Sequence, residues 1–309
     1  MAGTVPAGAS LVRSDRDQRG AYDAVTDEPW DVVVDVSRQP GQVLGGVTAL
    51  SGRVGFMVYV SSGNVYADHE APGQDETAAV LPALDGDVME TMETYGEAKV
   101  ACEQHVLAGY GADRSLLARV GLIGGPGDLF DRSGYWPWRF GRPAAADGRV
   151  LVPDAPDEAT QVIDVRDLAG WLVTAGTQFT SGIFNAGGET RSLAEHLAVA
   201  RTVARHSGPV IAADPDWLRA HDVQPWMGPR SLPLWLGDPA WAGFNARSSR
   251  KARSAGLVTR PLADTLADTL VWELTRKPAP TRQAGLSDTD ERALLDLLTA
   301  DQRAAARIV

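Results

Sequence analysis

Short apolar runs alternate with longer helical patterns through the first two hundred residues, and this alternation limits the fold more than any other feature of the chain. Residues 31–36 (DVVVDV), 56–61 (FMVYVS) and 115–120 (SLLARV) are brief runs of the kind that parallel sheets bury on both faces. Residues 41–50 and 88–109 predict helices between them, although two central glycines weaken the first prediction. We therefore predict an α/β fold with a doubly wound parallel sheet and right-handed crossovers.

The sequence changes in character at about residue 127, where tryptophan and proline become frequent. Seven of the nine tryptophans lie between residues 136 and 241, and no low-complexity linker separates this part from the rest. We predict a core over residues 1–126 and a smaller, substrate-facing lobe, interwoven with the core, over residues 127–309. Ser287, with Asp290 three residues later, predicts the N-terminus of a final amphipathic helix that runs to the end of the chain.

Composition excludes several classes of function. Acidic residues outnumber basic ones by 40 to 29, and the net charge of −11 repels a phosphate backbone, so we expect no nucleic-acid partner. A single cysteine, Cys102, excludes an internal disulfide, and the five histidines lack metal-ligand spacing. The chain shows no signal-peptide pattern and no apolar run of bilayer length. We expect a cytoplasmic protein without a metal site or a membrane partner.

Tyr95 and Lys99 are four residues apart in a predicted helix, which places both side chains on one face. An ammonium beside a phenol favours the phenolate and lowers a pKa that starts at about 10. The tyrosine could then exchange a proton with a hydroxyl or carbonyl group, and the hydroxyl of Ser62, at a neighbouring strand end, could hold the same oxygen. Alone the pair is a weak signal, because a surface tyrosine near a solvated lysine occurs in many helices.

Three further blocks occur in order around this pair. Residues 61–66 (SSGNVY) end the second predicted strand, residues 95–99 (YGEAK) follow, and residues 119–128 (RVGLIGGPGD) and 162–169 (VIDVRDLA) come after them. The ordered set resembles that of the extended short-chain dehydrogenase/reductases, the NAD-dependent epimerase/dehydratase family. The resemblance covers roughly residues 10–190.

The resemblance implies a Rossmann-like, dinucleotide-binding core with NAD or NADP as cofactor, and an oxidoreductase or epimerase that acts on a hydroxyl or keto group of a small molecule, with nucleotide sugars as one candidate class. It implies that Tyr95 is the acid/base, that Lys99 is its electrostatic and ribose-binding partner, and that Ser62 orients the reacting oxygen. The cofactor-binding residues that it implies are Asp15, Arg16, Val36, Ser37, Val60, Tyr95, Lys99, Val120, Gly121, Leu122 and Ile123.

Substrate contacts are predicted more weakly. Asn64, Arg139 and Arg142 are the candidates, and for the two arginines ordinary packing is the favoured alternative. The resemblance also implies a homodimer.

The family opens with a Gly-x-x-Gly-x-x-Gly turn between its first strand and first helix, where the backbone approaches the pyrophosphate. This chain lacks that turn at its start, and its dense glycine stretch at residues 121–127 matches a different family segment. We therefore expect an N-terminally truncated form of the fold. Either the recorded start is internal, or the chain is a short form that binds dinucleotide poorly or not at all. The alternative function is a non-catalytic binding or structural protein on a degenerate Rossmann fold.

Overall fold

The computed structural model describes residues 5–276 and 282–305 of the chain. The strands are β1 (Trp30–Asp35), β2 (Val54–Ser62), β3 (Ser115–Val120), β4 (Leu122–Gly124), β5 (Val150–Pro153), β6 (Ala159–Asp164), β7 (Gly182–Ala186), β8 (Thr190–Ser192), β9 (Val210–Ala213), β10 (Gln224–Pro225) and β11 (Ser231–Leu232). The helices are α1 (Pro40–Leu50), α2 (Tyr95–Tyr110), α3 (Tyr135–Gly141), α4 (Val165–Thr177), α5 (Leu193–Val203), α6 (Pro215–Ala220), α7 (Arg250–Ser254), α8 (Leu262–Thr275) and α9 (Asp288–Ala305).

The chain forms two compact units that interleave along the sequence. The first unit takes residues up to 67, residues 79–119 and residues 172–184, and the second takes the remainder. The second unit includes most of the lobe predicted after residue 126 and covers more of the chain than the first. The domain boundary at residue 126 stays a prediction, and the ends of the two predicted domains at residues 1–4 and 306–309 lie outside the described residues.

The first unit is built on a four-stranded sheet with the order β1-β2-β3-β7. β1 and β2 run parallel, with Val32 beside Phe56. On one face α1 and α2 pack against Met57 of β2 in a common apolar core. On the other face the end of α4 lies against the sheet at Gly176, where a Cβ would meet Val58 at 3.0 Å. The predicted α/β fold, with a parallel sheet covered by helices on both faces, is confirmed.

Two local predictions differ from the structure. The run at residues 31–36 was expected to be buried on both faces, but Val34 and Val36 are 44% and 72% exposed, because β1 is the edge strand of its sheet. The helix predicted from residue 88 begins at Tyr95. The backbone of Met89 accepts from and donates to the side chain of Gln39 at 3.1 and 2.7 Å, and these bonds hold the preceding segment outside the helix.

The described residues of the second unit form three small sheets. β4 pairs with β6 in parallel, β6 pairs with β8 antiparallel, and the parallel pairs β5/β9 and β10/β11 stand apart from them. Buried side chains of α3, α5, α8 and α9 fill the core around the β5/β9 pair. The predicted N-terminus of the last helix is confirmed, because Asp290 N donates to Ser287 Oγ at 3.0 Å. Its predicted last residues, 306–309, lie outside the described residues. None of the described helices is long and apolar enough to span a bilayer.

Candidate functional site at the end of the second strand

Lys99 lies at the centre of a polar cluster in the first unit. The side chain is 3% exposed, and its ammonium donates to Ser37 O at 2.8 Å, to Tyr59 OH at 2.9 Å and to Val60 O at 2.7 Å. These three bonds use all the N–H groups of an ammonium. Burial lowers the pKa of Lys99 to about 8, although Cys102 and nearby carboxylates act in the opposite direction.

Tyr59 is the partner of Lys99 that the sequence analysis missed. Its phenol accepts from Lys99 and donates to Ser37 O at 3.0 Å, and the Lys99 nitrogen also lies 4.6 Å from the centre of the ring. Burial is the main cause that raises the pKa of Tyr59, so the phenol stays neutral. One signal was available in the sequence: Met57 and Tyr59 share a face of β2, and a tyrosine on a face that meets the lysine-bearing helix is a natural acceptor.

Ser62 ends β2 and caps the 3-10 turn Gly63–Val65 that follows. Its hydroxyl accepts from Asn64 N at 3.2 Å and donates to Asn64 Oδ1 at 3.0 Å. The first turn of α2 lies directly on this 3-10 turn, because a Cβ at Gly96 would stand 2.4 Å from Asn64 O. Only glycine permits this approach. It brings half-buried Tyr95, at the start of α2, alongside the turn that Ser62 caps.

A buried ion pair ties α2 to two strands. Arg119 on β3 donates to the two carboxylate oxygens of Glu103 at 3.0 and 2.8 Å, and Ser61 Oγ donates to the same carboxylate at 2.6 Å. Glu103 lies one helical turn beyond Lys99, and Ser61 immediately precedes Ser62. These contacts set the position of the helix along the strands that carry the site.

Arg16, which precedes β1 in the sequence, binds the last residue of that strand, Asp35. Its guanidinium makes a bidentate pair with Asp35 at 3.1 and 2.7 Å, and further bonds reach Tyr22 OH at 2.7 Å, Gln42 O at 2.9 Å and the hydroxyl of Ser37. All five N–H groups are therefore used. Burial raises the pKa of Asp35, but the bonds from Arg16 and Ser37 outweigh it, and the carboxyl has a lowered pKa.

Two other predicted cofactor-binding residues near the end of β1, Asp15 and Val36, are more exposed. Asp15 is exposed, and its carboxylate accepts from the backbone N–H of Asp17 at 3.0 Å in a local turn. Val36 follows β1 with its side chain largely exposed. The structure thus brings Arg16 and Ser37 together at the end of β1, whereas Asp15 does not join them.

The beginning of α1 does not fit a pyrophosphate. The connection from β1 to α1, residues 36–39, contains no glycine. Gly41 N donates to Asp87 O at 2.8 Å, and a Cβ at Gly41 would stand 3.6 Å from the carboxyl carbon of Asp87. The N–H group of Gly41 is thus already bound to a main-chain carbonyl, and the carboxylate of Asp87 lies nearby, so this helix N-terminus is poorly suited to a further anion. The end of β2 does suit the nicotinamide half of a dinucleotide, since it offers a hydroxyl, a phenol and a buried positive charge.

The remaining predicted residues lie in the second unit. Val120 ends β3, and Leu122 and Ile123 form β4 beside β6. Gly121 N donates to Ala186 O at 3.2 Å. These backbone positions serve sheet pairing.

The contacts of Arg139 are those of a residue that packs within the fold, which was the favoured alternative to a substrate contact. Arg139 is fully buried and forms ion pairs with Asp288 at 2.6 Å and Glu291 at 2.8 Å, and it donates to Leu286 O at 2.7 Å. Arg142, just beyond α3, is exposed. Within the described part of the chain, no three His, Cys, Asp or Glu side chains are grouped as metal ligands.

Comparisons with solved structures give the same fold. A putative epimerase from Burkholderia cenocepacia J2315 matches with a TM-score of 0.62 and 23% identity, over 87% of this chain and 86% of that one. UDP-glucose 4-epimerase of Thermus thermophilus, complexed with NAD, matches at 0.59 and 17% over 87% and 86%. RMD from Pseudomonas aeruginosa, complexed with NADPH, matches at 0.57 and 18% over 88% and 90%. No family model matches the chain, and a comparison with curated proteins finds no match.

Proposed function

We propose that this chain is an NAD(P)-dependent oxidoreductase or epimerase that acts on a hydroxyl or keto group. One observation carries the proposal. The close approach of Gly96 to Asn64 O sets Tyr95 beside the turn that Ser62 caps, while Lys99 is bound to Val60 O, two residues before Ser62. The fold shared with enzymes solved in complex with NAD or NADPH supports the same proposal.

Each side chain has a separate task in this proposal. A bound nicotinamide would accept or supply a hydride. Tyr95 would exchange the proton at the substrate oxygen, since a positioned phenol can act as a general acid or base. Lys99 would favour the phenolate of Tyr95 by its positive charge. Ser62 would hold the same substrate oxygen through its hydroxyl, and the backbone of Val60 would line the nicotinamide side.

Nucleotide sugars are the proposed substrate class. The support is the shared fold with a UDP-glucose 4-epimerase and the polar amide of Asn64 next to Ser62. Asn64, beside Ser62 in the first unit, is the proposed substrate contact, and the exposed Arg142 of the second unit is a separate, weaker candidate. We also propose that the protein is cytoplasmic. We propose further that it forms a homodimer, and analytical ultracentrifugation can test this oligomeric state.

The variant Tyr95→Phe tests the proton-transfer step. The phenyl ring keeps the volume but has no proton to give, so we expect turnover of a nucleotide-sugar substrate to fall by at least about 100-fold. The affinity for NADH, measured by fluorescence titration, should stay within about twofold of the wild type because a hydroxyl group alone is lost. Near-normal turnover in this variant would refute the role of Tyr95.

A second candidate function is a non-catalytic binding or structural protein on the same fold. The glycine-free connection at residues 36–39 and the placement of Asp87 at the start of α1 favour it. Titration of the wild type with NADH and with NADPH separates the two candidates. Saturable binding of either dinucleotide supports the enzyme, and the absence of both supports the binding protein.

A further inference from the structure

The ammonium of Lys99 has no N–H group left for a ligand. Its three donors are taken by Ser37 O, Tyr59 OH and Val60 O, at distances between 2.7 and 2.9 Å. The side chain is almost entirely buried, so a ribose hydroxyl could bond to it only by displacing one of these acceptors. Two acceptors are main-chain carbonyls at the ends of β1 and β2, and the third is a phenol within β2.

The acceptors around Lys99 are all uncharged, and the nearby acids are already paired. Asp35, from the end of β1, is bound by Arg16. Glu103, on the same helix as Lys99, is bound by Arg119.

The remaining titratable groups near Lys99 are neutral or outside its hydrogen-bond shell. Burial raises the pKa values of the Tyr59 phenol and the Cys102 thiol, so both stay neutral at ordinary pH. Tyr95 lies one helical turn before Lys99 on α2. The positive charge of Lys99 is therefore solvated by dipoles and is not cancelled by a carboxylate of its own.

We propose that Tyr59 is a positioning residue that holds the ammonium of Lys99, and that Lys99 acts on the site through its charge without donating to the ribose of the cofactor. The inference rests on the proposed function, and it departs from the ribose-binding role that the sequence resemblance implies for Lys99. The phenol of Tyr59 sets where the charge stands, and the charge acts on Tyr95.

Two variants and one control test the inference, each checked for folding by circular dichroism. Lys99→Met removes the charge at similar volume, and we expect turnover to fall by about 100-fold or more while the dissociation constant for NADH changes by less than about threefold. Tyr59→Phe removes an acceptor from the ammonium, which lowers the pKa of Lys99. We expect the alkaline limb of the turnover profile to move to lower pH by about one unit or more.

Tyr110→Phe is the matched control. Tyr110 belongs to the same apolar core as Tyr59, and its buried hydroxyl has no hydrogen-bond partner among the residues that the structure describes, so its removal should leave the pH profile unchanged. A loss of NADH affinity above about tenfold in Lys99→Met would show that Lys99 does donate to the cofactor. A wild-type pH profile in Tyr59→Phe would show that Tyr59 does not position Lys99. Either result overturns the inference while the enzyme proposal stands.

A readout without cofactor separates failure of the inference from failure of the proposed function. The contribution of Lys99 to the free energy of unfolding, taken as wild type minus Lys99→Met, should change with pH from about 8 upward. In a Tyr59→Phe background the onset of this change should move to lower pH. If the wild type binds neither NADH nor NADPH, the proposed function fails, and this titration still decides whether Tyr59 holds the ammonium. An unmoved onset contradicts the inference.

Discussion

Lys99 in the first unit and Arg139 in the second are both buried cations, but their partners differ in charge. Arg139 is bound by the carboxylates of Asp288 and Glu291, whereas Lys99 is bound by two carbonyls and a phenol. A cation paired with carboxylates has little net field beyond the pair, and its main effect is on packing. A cation held by neutral dipoles keeps a field that can shift a neighbouring pKa. The partners, more than burial, separate a structural cation from one that can serve chemistry.

Three further arginines, two of them half-buried and one buried, follow the pattern of Arg139 and pair with carboxylates. In the second unit, Arg276 and Arg282 both pair with Asp131 and Glu273. In the first unit, Arg119 pairs with Glu103. The comparison therefore assigns these arginines to the support of the fold, and it separates Lys99 from them.

The largest effect is expected for Arg139→Met, which would leave the buried carboxylate of Glu291 without its paired cation. Breaking a buried pair on one side costs about 3–5 kcal/mol, so urea unfolding should show a loss of free energy of that size. Burial raises the pKa of Glu291, and Arg139 opposes this shift. Without Arg139 the folded state should retain a proton on Glu291 to higher pH, and the loss should be greater at pH 8 than at pH 5.

The double variant Arg139→Met with Glu291→Gln is the control, because it removes both charges and should recover part of the lost stability. If the single variant loses less than about 1 kcal/mol of unfolding free energy, Arg139 is not a structural cation, and the contrast with Lys99 is wrong.

The pH dependence of stability should distinguish the two cations next. The pKa of Lys99 is about 8 in the folded chain and about 10.4 when unfolded. Above both values the amine is neutral in both states and its contribution to stability is complete. That contribution is lost as pH falls from about 10.4 to about 8, because the unfolded chain takes up the proton first.

The expected size of this change is on the order of 3 kcal/mol, measured by urea unfolding as wild type minus Lys99→Met across the pH range 8 to 10.5. Arg139 stays protonated throughout that range. The difference in the free energy of unfolding between the wild type and Arg139→Met should therefore not change between pH 8 and 10.5 in the way expected for Lys99. If the difference in the free energy of unfolding between the wild type and Lys99→Met does not change with pH, the ammonium of Lys99 has an ordinary lysine pKa.

The fold could be predicted from local patterns, because each short apolar run and each polar strand end lies within a continuous segment of the sequence. The order of Ser62, Tyr95 and Lys99 likewise gave the candidate site. The partners of these residues could not be predicted in the same way. The alternation of β2 places Tyr59 on the face that meets α2 but does not identify Lys99 as its partner, and the acceptor carbonyl of Ser37 depends on how β1 ends beside α2.

The charged network around the site depends on contacts between residues far apart in sequence. The pairing of Glu103 with Arg119 joins a helix to a strand, and no local period indicates it. The resemblance implies that Arg16 binds the cofactor, but its five donors are used within the chain. The start of α2 was misplaced because the side chain of Gln39 binds the backbone of Met89.

Gly96→Ala should have an intermediate effect, because it disturbs the placement of Tyr95 without touching either cation. The new Cβ would lie 2.4 Å from Asn64 O, and the first turn of α2 would have to shift. We expect a stability loss of about 1–3 kcal/mol and a fall in turnover of about 10- to 100-fold. Gly52→Ala is the matched control, since nothing lies within 4 Å of a Cβ there. Equal turnover in the two variants would contradict the positioning of Tyr95 by this contact.

The smallest effect is expected for Arg142→Ala, three residues beyond Arg139. Because Arg142 is exposed, its removal should change the free energy of unfolding by less than about 0.5 kcal/mol, in contrast to Arg139. If its guanidinium contacts the substrate, as proposed, one exposed charged contact of up to about 1 kcal/mol is lost, and KM should rise by up to about fivefold at unchanged kcat. The rise should occur for a nucleotide sugar and not for the same sugar without phosphate. An unchanged KM for both would remove Arg142 from the proposed site and leave both arginines to the fold.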